Sequence, residues 1–79
     1  MKIELLNKEN GKYVYWYNGY KYDIFKRPHG GYCIQIFKHK RLIFSEGYHT
    51  KALPNLVLVR KRIAKFIEIN DLKQEMNNN

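Results

Sequence analysis

Three histidines, one cysteine and seven carboxylates are the side chains in this sequence with the types needed for acid–base, nucleophilic or metal chemistry. His29, His39 and His49 stand ten residues apart, each at a turn signal. Zinc ligands come at short helical or loop spacings, usually beside Cys or further His, so no metal site is expected. Cys33 lies inside the apolar run "YCIQIF". It has no neighbouring base or cation to stabilise a thiolate, and so reads as a packed or half-exposed thiol. Glu4, Glu9, Asp23, Glu46, Glu68, Asp71 and Glu75 form no pair at matched depth for acid–base work. Gly30-Gly31 is a turn, and neither GxGxxG nor GxxxxGK[ST] occurs. The expectation is a protein that is not an enzyme and takes no cofactor.

Aromatic and basic chemistry remains. "YWYNGYKY", residues 15–22, crowds six rings around one Asn-Gly, and the 79-residue chain carries a net charge of +8 with a pI near 9.7. Aromatic rings stack on nucleobases for about 1–3 kcal/mol each, and lysine and arginine neutralise phosphates. A basic domain of this size therefore points to nucleic acid or another polyanion. The same Lys-, Asn-, Ile- and Tyr-rich composition also arises in AT-rich genomes without selection for binding.

Positioning those groups requires a sheet. Asn18-Gly19 between alternating aromatic runs is a strong hairpin signal, because a type I′ turn needs positive φ at both central residues. Strands are expected at about 12–17 and 20–25, and "KRPHGG" makes the next break, since Pro28 cannot donate to a ladder. A third strand follows at about 32–37 and a fourth at 42–45. "KHKR" turns between them, as a two- or three-residue loop that decides which way strand four faces. Residues 2–6, "KIELL", before the loop "NKENG", form either an edge strand or a short arm. From Thr50 the period lengthens. Leu56, Val59, Ile63, Phe66 and Ile67 share one side of a helical wheel. Thr50 is one candidate N-cap, with Pro54 in the first turn, and Asn55 is the other. The helix is expected to end near Asn70. The fold class is thus α+β: an antiparallel meander of three to five strands with one C-terminal helix across one face.

The hairpin register sorts the rings. A two-residue loop pairs Tyr17 with Tyr20, Tyr15 with Tyr22 and Tyr13 with Ile24, placing all six on one face. Tyr32, Ile34 and Ile36 extend that face, which the helix should cover, so most tyrosines read as core. The opposite face carries Lys12, Val14, Trp16, Lys21, Asp23, Phe25, Cys33, Gln35 and Phe37. Exposed rings among lysines suggest binding. On this reading Trp16 stacks, and Lys21 and Gln35 contact base edges or phosphates. Arg27, Lys38, Lys40 and Arg41 hold the backbone. The rival arrangement buries Trp16 and Phe25 under the arm, beneath Ile3, Leu5 or Leu6.

A second surface lies on the outer helix. Arg60, Lys61, Arg62 and Lys65 are ordinarily a solvated face. Leu58 and Ile69 among them suggest a protein-interaction module, such as a small regulator or inhibitor, acting through a sheet edge or through Leu58, Arg62, Lys65 and Ile69 on the helix. The partners expected are nucleic acid or an acidic protein, and a homodimer is compatible with either.

The setting is simpler. Residues 1–70 form one small domain and 71–79 a polar, flexible tail. One cysteine allows no internal disulfide, which fits a reduced, cytoplasmic protein. The N-terminus shows no signal-peptide pattern, and no apolar run is long enough to span a membrane.

One stretch resembles a known family. "SEGYHTKA", residues 45–52, stands at the last strand-to-helix junction, as a SEGYxxKA-like stretch does in the small bacterial YegP-like proteins. The resemblance covers roughly residues 22–66 and implies a unit of three strands followed by a helix. Pro54 at the helix start and the lack of a second repeat depart from that pattern. The resemblance bears on fold more than on function.

Overall fold

Each break in the sequence becomes a reversal of the chain. A computed structural model describes residues 3–5, 7–9 and 12–77, with side chains at 3–5 and 12–73. Five antiparallel strands follow in sequence order across one sheet: β1 (Asn7–Glu9), β2 (Lys12–Tyr17), β3 (Tyr20–Lys26), β4 (Tyr32–Lys38) and β5 (Arg41–Glu46). A single helix, α1 (Leu56–Asn77), closes the chain. This is the α+β meander expected from the order of the patterns.

The two tight turns set the register. Asn18 and Gly19 have φ of 50° and 82°, and the ladder pairs Tyr17 with Tyr20, Tyr15 with Tyr22 and Tyr13 with Ile24. His39 and Lys40, at φ 52° and 64°, make a second two-residue turn of the same hand without glycine. Lys38 therefore pairs with Arg41, and the loop is of the shorter kind. A bulge opposite Ile36 and Phe37 then intervenes, pairing Phe37 with Leu42 but Ile36 with Phe44. Ile43 is the extra residue. Strand β5 thus sends Phe44 toward the core and Leu42 to the other face.

Helix α1 lies over the tyrosine face. Val59, Ile63 and Ile67 are buried against Tyr20, Tyr22, Ile24, Ile34, Ile36 and Leu53, with Leu56 and Phe66 packed alongside. The whole apolar stripe read from the sequence faces the sheet. Phe66 meets Tyr20 and Tyr22 edge-on, both at 6.1 Å between ring centres. Burial and the neighbouring Tyr20, Tyr15, Asp71 and Tyr17 push the Tyr22 phenol well above its ordinary range. Burial pushes Tyr15 the same way, helped by Tyr17 and Glu4.

The helix starts where asparagine can cap it. Asn55 Oδ1 accepts from the Leu58 N–H at 3.0 Å, satisfying one of the unpaired donors of the first turn. Thr50 does other work: its Oγ1 accepts from the Gly47 N–H at 2.8 Å. The helix continues past Asn70 to Asn77, since "DLKQEMN" holds neither glycine nor proline to stop it. Residues 78 and 79, the end of the expected tail, lie outside the described residues.

Residues 3–5 form the short arm and not an edge strand, but the arm does not cover Trp16. Residues 7–9, read as loop, form the edge strand, with Lys8 opposite Tyr13. Ile3 and Leu5 are buried in the helix-face core instead of over Trp16. Arg60 Nε donates to the Ile3 carbonyl at 3.2 Å. Lys2 and Leu6 lie outside the described residues.

The link from β5 to α1 is pinned at three points. Tyr32 and Leu53 exchange backbone hydrogen bonds of 2.7 and 2.9 Å. The Arg27 guanidinium donates to the carbonyls of Gly47 and Tyr48. Gly47, at φ 94°, passes so close to β4 that a Cβ there would sit 2.8 Å from the Tyr32 oxygen.

Candidate nucleic-acid interface

Cross-strand register arranges the open face in rows. Trp16, Lys21, Phe37 and Leu42 stand side by side in one row. Val14, Asp23, Gln35 and Ser45 form the next, and Lys12, Phe25 and Cys33 the third. Neither the helix nor the described arm reaches the first row. Trp16 is 63% exposed, which is unusual for the largest apolar ring a chain has.

Lys21 faces Trp16 directly, its Nζ 5.8 Å from the centre of the indole. That separation lies within cation–π range and places the ammonium over the ring, while the residue as a whole stays largely exposed. Around the pair runs a pocket of about 360 Å³ lined by Trp16, Gly19, Lys21, Asp23, Phe37, His39 and Lys40. Both two-residue turns contribute to it, Gly19 from one and His39 and Lys40 from the other. Tight turns thus bring a ring, an ammonium and an imidazole to one end of the sheet.

The third row is closed. Tyr48 folds back from the link, its ring 6.3 Å from Phe25, and its phenol interacts with the Cys33 thiol. Burial, with the thiol against it, raises the Tyr48 phenol above its ordinary range. Cys33 is buried beneath, and Lys12 Nζ lies 5.6 Å from the Phe25 ring centre. Phe25 therefore packs, as one reading of the sequence held, but under Tyr48 and not under the arm.

Asp23 sits between the two ends and is only 4% exposed. Lys12 Nζ lies 3.4 Å from its Oδ2 and Lys21 Nζ 3.7 Å from its Oδ1, and Oδ1 has no hydrogen-bond partner. The sequence places this carboxylate on the basic face but assigns it no role there. Its signal was present in the register, which puts Asp23 two residues from Lys21 on one strand and one ladder row from Lys12.

The sequence-derived site residues divide. Trp16, Lys21 and Lys40 meet at the pocket, and Gln35 stands in register beside Asp23. Lys38 faces the helix side, its Nζ 5.0 Å from the centre of the Tyr20 ring and 3.4 Å from the Tyr20 hydroxyl. Arg41, its ladder partner, shares that side. Arg27 is engaged in holding the link. On the helix, Leu58, Arg62, Lys65 and Ile69 recur at three- and four-residue steps along one stripe, continued by the exposed Leu72. Arg62 Nε pairs with Glu46 Oε1 at 3.1 Å. A groove of about 210 Å³ between β5 and α1 is lined by Phe44, Glu46, Arg62, Lys65, Phe66 and Ile69.

Among the described residues no three of His, Cys, Asp and Glu gather closely enough to hold a metal, and no helix is long and apolar enough to cross a membrane. No protein-family model, curated protein or solved structure matches the chain.

Proposed function

We propose that this chain is a small, basic, non-enzymatic module that binds single-stranded nucleic acid on the open face of its sheet. The observation that carries the reading is Trp16, held open at one end of that face with Lys21 beside its ring. A base stacked on the indole leaves its phosphates within reach of Lys21 and Lys40, the combination of ring and cation on which sequence-tolerant single-strand binding rests. The net charge of +8 supplies long-range attraction for such a polyanion. The buried, unpaired thiol of Cys33 suits a reducing, cytoplasmic setting. The YegP-like resemblance adds an analogy of strand and helix order and nothing on ligands.

The test is Trp16 emission, since the chain has a single tryptophan. A red-shifted emission that iodide quenches, and that oligonucleotides alter in a salt-sensitive way, supports the proposal. An unresponsive Trp16 at low salt overturns it.

A second reading is supported by the helix stripe. Leu58, Arg62, Lys65 and Ile69 form one continuous surface with the groove at Phe44 beside it, and exposed apolar residues so aligned suit a protein partner or a second copy of the chain. Binding there withstands salt and spares Trp16 fluorescence, so the same titration separates the readings.

A further inference from the structure

A basic face that seeks phosphate has little use for a buried carboxylate at its centre, because every anion there weakens the attraction. Asp23 is nonetheless placed on that face, 4% exposed. Lys12 serves its Oδ2 at 3.4 Å, while Oδ1 lines up with Lys21 at 3.7 Å, beyond hydrogen-bond distance, and has no other partner. An ionised carboxylate only accepts hydrogen bonds, and a buried acceptor without a donor is costly to keep. Its surroundings are a pocket with an exposed indole, a second ring at Phe37 and two ammonium groups. Those walls suit a planar ring. The free acceptor suits the edge of that ring which carries N–H groups.

We infer that Asp23 reads the base held in the Trp16 pocket, accepting from the N1–H and N2–H₂ edge of a guanine stacked on the indole. The inference rests on the nucleic-acid reading above. Guanine is the base that fits because its two donors stand side by side next to a carbonyl. Asp23 takes the donors. Lys21, displaced from over Oδ1 as the base enters, donates to O6. Thymine and uracil offer one N–H between two carbonyls and would bring both oxygens toward the carboxylate. Unstacked bases in single strands are read through these same edges, whereas Trp16 and the lysines alone would treat all bases alike.

Trp16 quenching by thymine octamers with a single central guanine, hypoxanthine, adenine, cytosine or thymine tests the inference on the unmodified protein. The guanine octamer should bind roughly five- to tenfold tighter than the all-thymine one, near the lower end of what one good base contact supplies. Hypoxanthine, which lacks the N2 amine, should fall between them. Asp23→Asn, checked for folding by circular dichroism, should bring guanine and thymine octamers within about twofold of each other. Equal binding of guanine, hypoxanthine and thymine octamers overturns the role of Asp23 and leaves the nucleic-acid reading intact, as does a guanine preference that survives in Asp23→Asn. If no octamer alters Trp16 at low salt, the nucleic-acid reading itself has failed, and this inference with it.

Discussion

Arg60 Nε donates to the backbone carbonyl of Ile3 at 3.2 Å, a contact spanning 57 positions of sequence that ties the N-terminal arm to the helix side of the sheet. Because Ile3 and Leu5 are spent on the helix-face core, the opposite face keeps its indole exposed.

Truncating the arm's buried residues should therefore affect stability without affecting Trp16. Ile3→Ala and Leu5→Ala each remove buried methyl groups and should cost about 2 kcal/mol, the lower end for core truncations, since the arm sits at a chain end. Urea unfolding measures the loss. The emission maximum of folded Trp16 should stay where it is in the parent chain. A blue- or red-shift in these variants would mean that the arm touches the indole.

Alkaline pH should unfold the protein through its tyrosine core. Burial raises the Tyr22 and Tyr15 phenols above their ordinary value in the folded state. Up to about pH 10, the ordinary phenol value, both states hold their protons and the contribution to stability is complete. Above it the unfolded chain releases protons that the folded one retains, so stability falls as pH rises toward the folded values. Phenolate absorbance and circular dichroism, followed together, should show late-titrating tyrosines ionising along with loss of structure. Tyr22→Phe should weaken that pH dependence. Noncoincident transitions, with Tyr22 ionising in an intact fold, would contradict the burial argument.

Glycines at the turns should differ sharply in what they tolerate. Gly19 and Gly47 both have positive φ, but a Cβ on Gly19 meets nothing within 4 Å, while one on Gly47 meets the Tyr32 oxygen at 2.8 Å and Cys33 Cα at 2.9 Å. Gly19→Ala should cost about 1–2 kcal/mol of left-handed strain. Gly47→Ala adds an overpacking term against backbone that cannot swing away, so about 3 kcal/mol or more is expected. Thermal unfolding of the two variants side by side gives the comparison. Equal costs would show that the link yields at Gly47.

The same contacts explain what the sequence could and could not disclose. Local chemistry was legible: Asn18-Gly19 dictates a turn, the turn dictates the Tyr17–Tyr20 register, and the register assigns every ring on β2 and β3 to a face. The 3.6-residue spacing of Val59, Ile63 and Ile67 likewise marks the side of α1 that is buried. Long-range closure was not legible. Nothing in "KIEL" states that Ile3 will meet Arg60, and nothing in "SEGYHT" states that Tyr48 will fold over Phe25. The bulge at Ile43 has no residue signature, yet it determines that Phe44 enters the core. At the site, Trp16 and Lys21 were visible as cross-strand neighbours. The split of the basic loops was hidden, because Arg27 and Lys38 find protein partners that only the folded chain supplies.

That split yields the most discriminating expectation for nucleic-acid binding. Lys40 lines the Trp16 pocket, whereas the Arg27 guanidinium donates to the Gly47 and Tyr48 carbonyls. Lys40→Ala should weaken binding and reduce the slope of log affinity against log salt by about one phosphate contact. Arg27→Ala removes an equal formal charge but should leave that slope nearly unchanged. Its effect should appear instead as a loss of about 1–3 kcal/mol in stability, since two carbonyls lose a charged donor. Lys38→Ala, on the helix side beside Tyr20, should resemble Arg27→Ala in sparing the slope. Salt-dependent anisotropy titrations of a labelled single strand measure all three. If the three variants lower the slope equally, net charge alone drives binding, and the pocket has no special place in it.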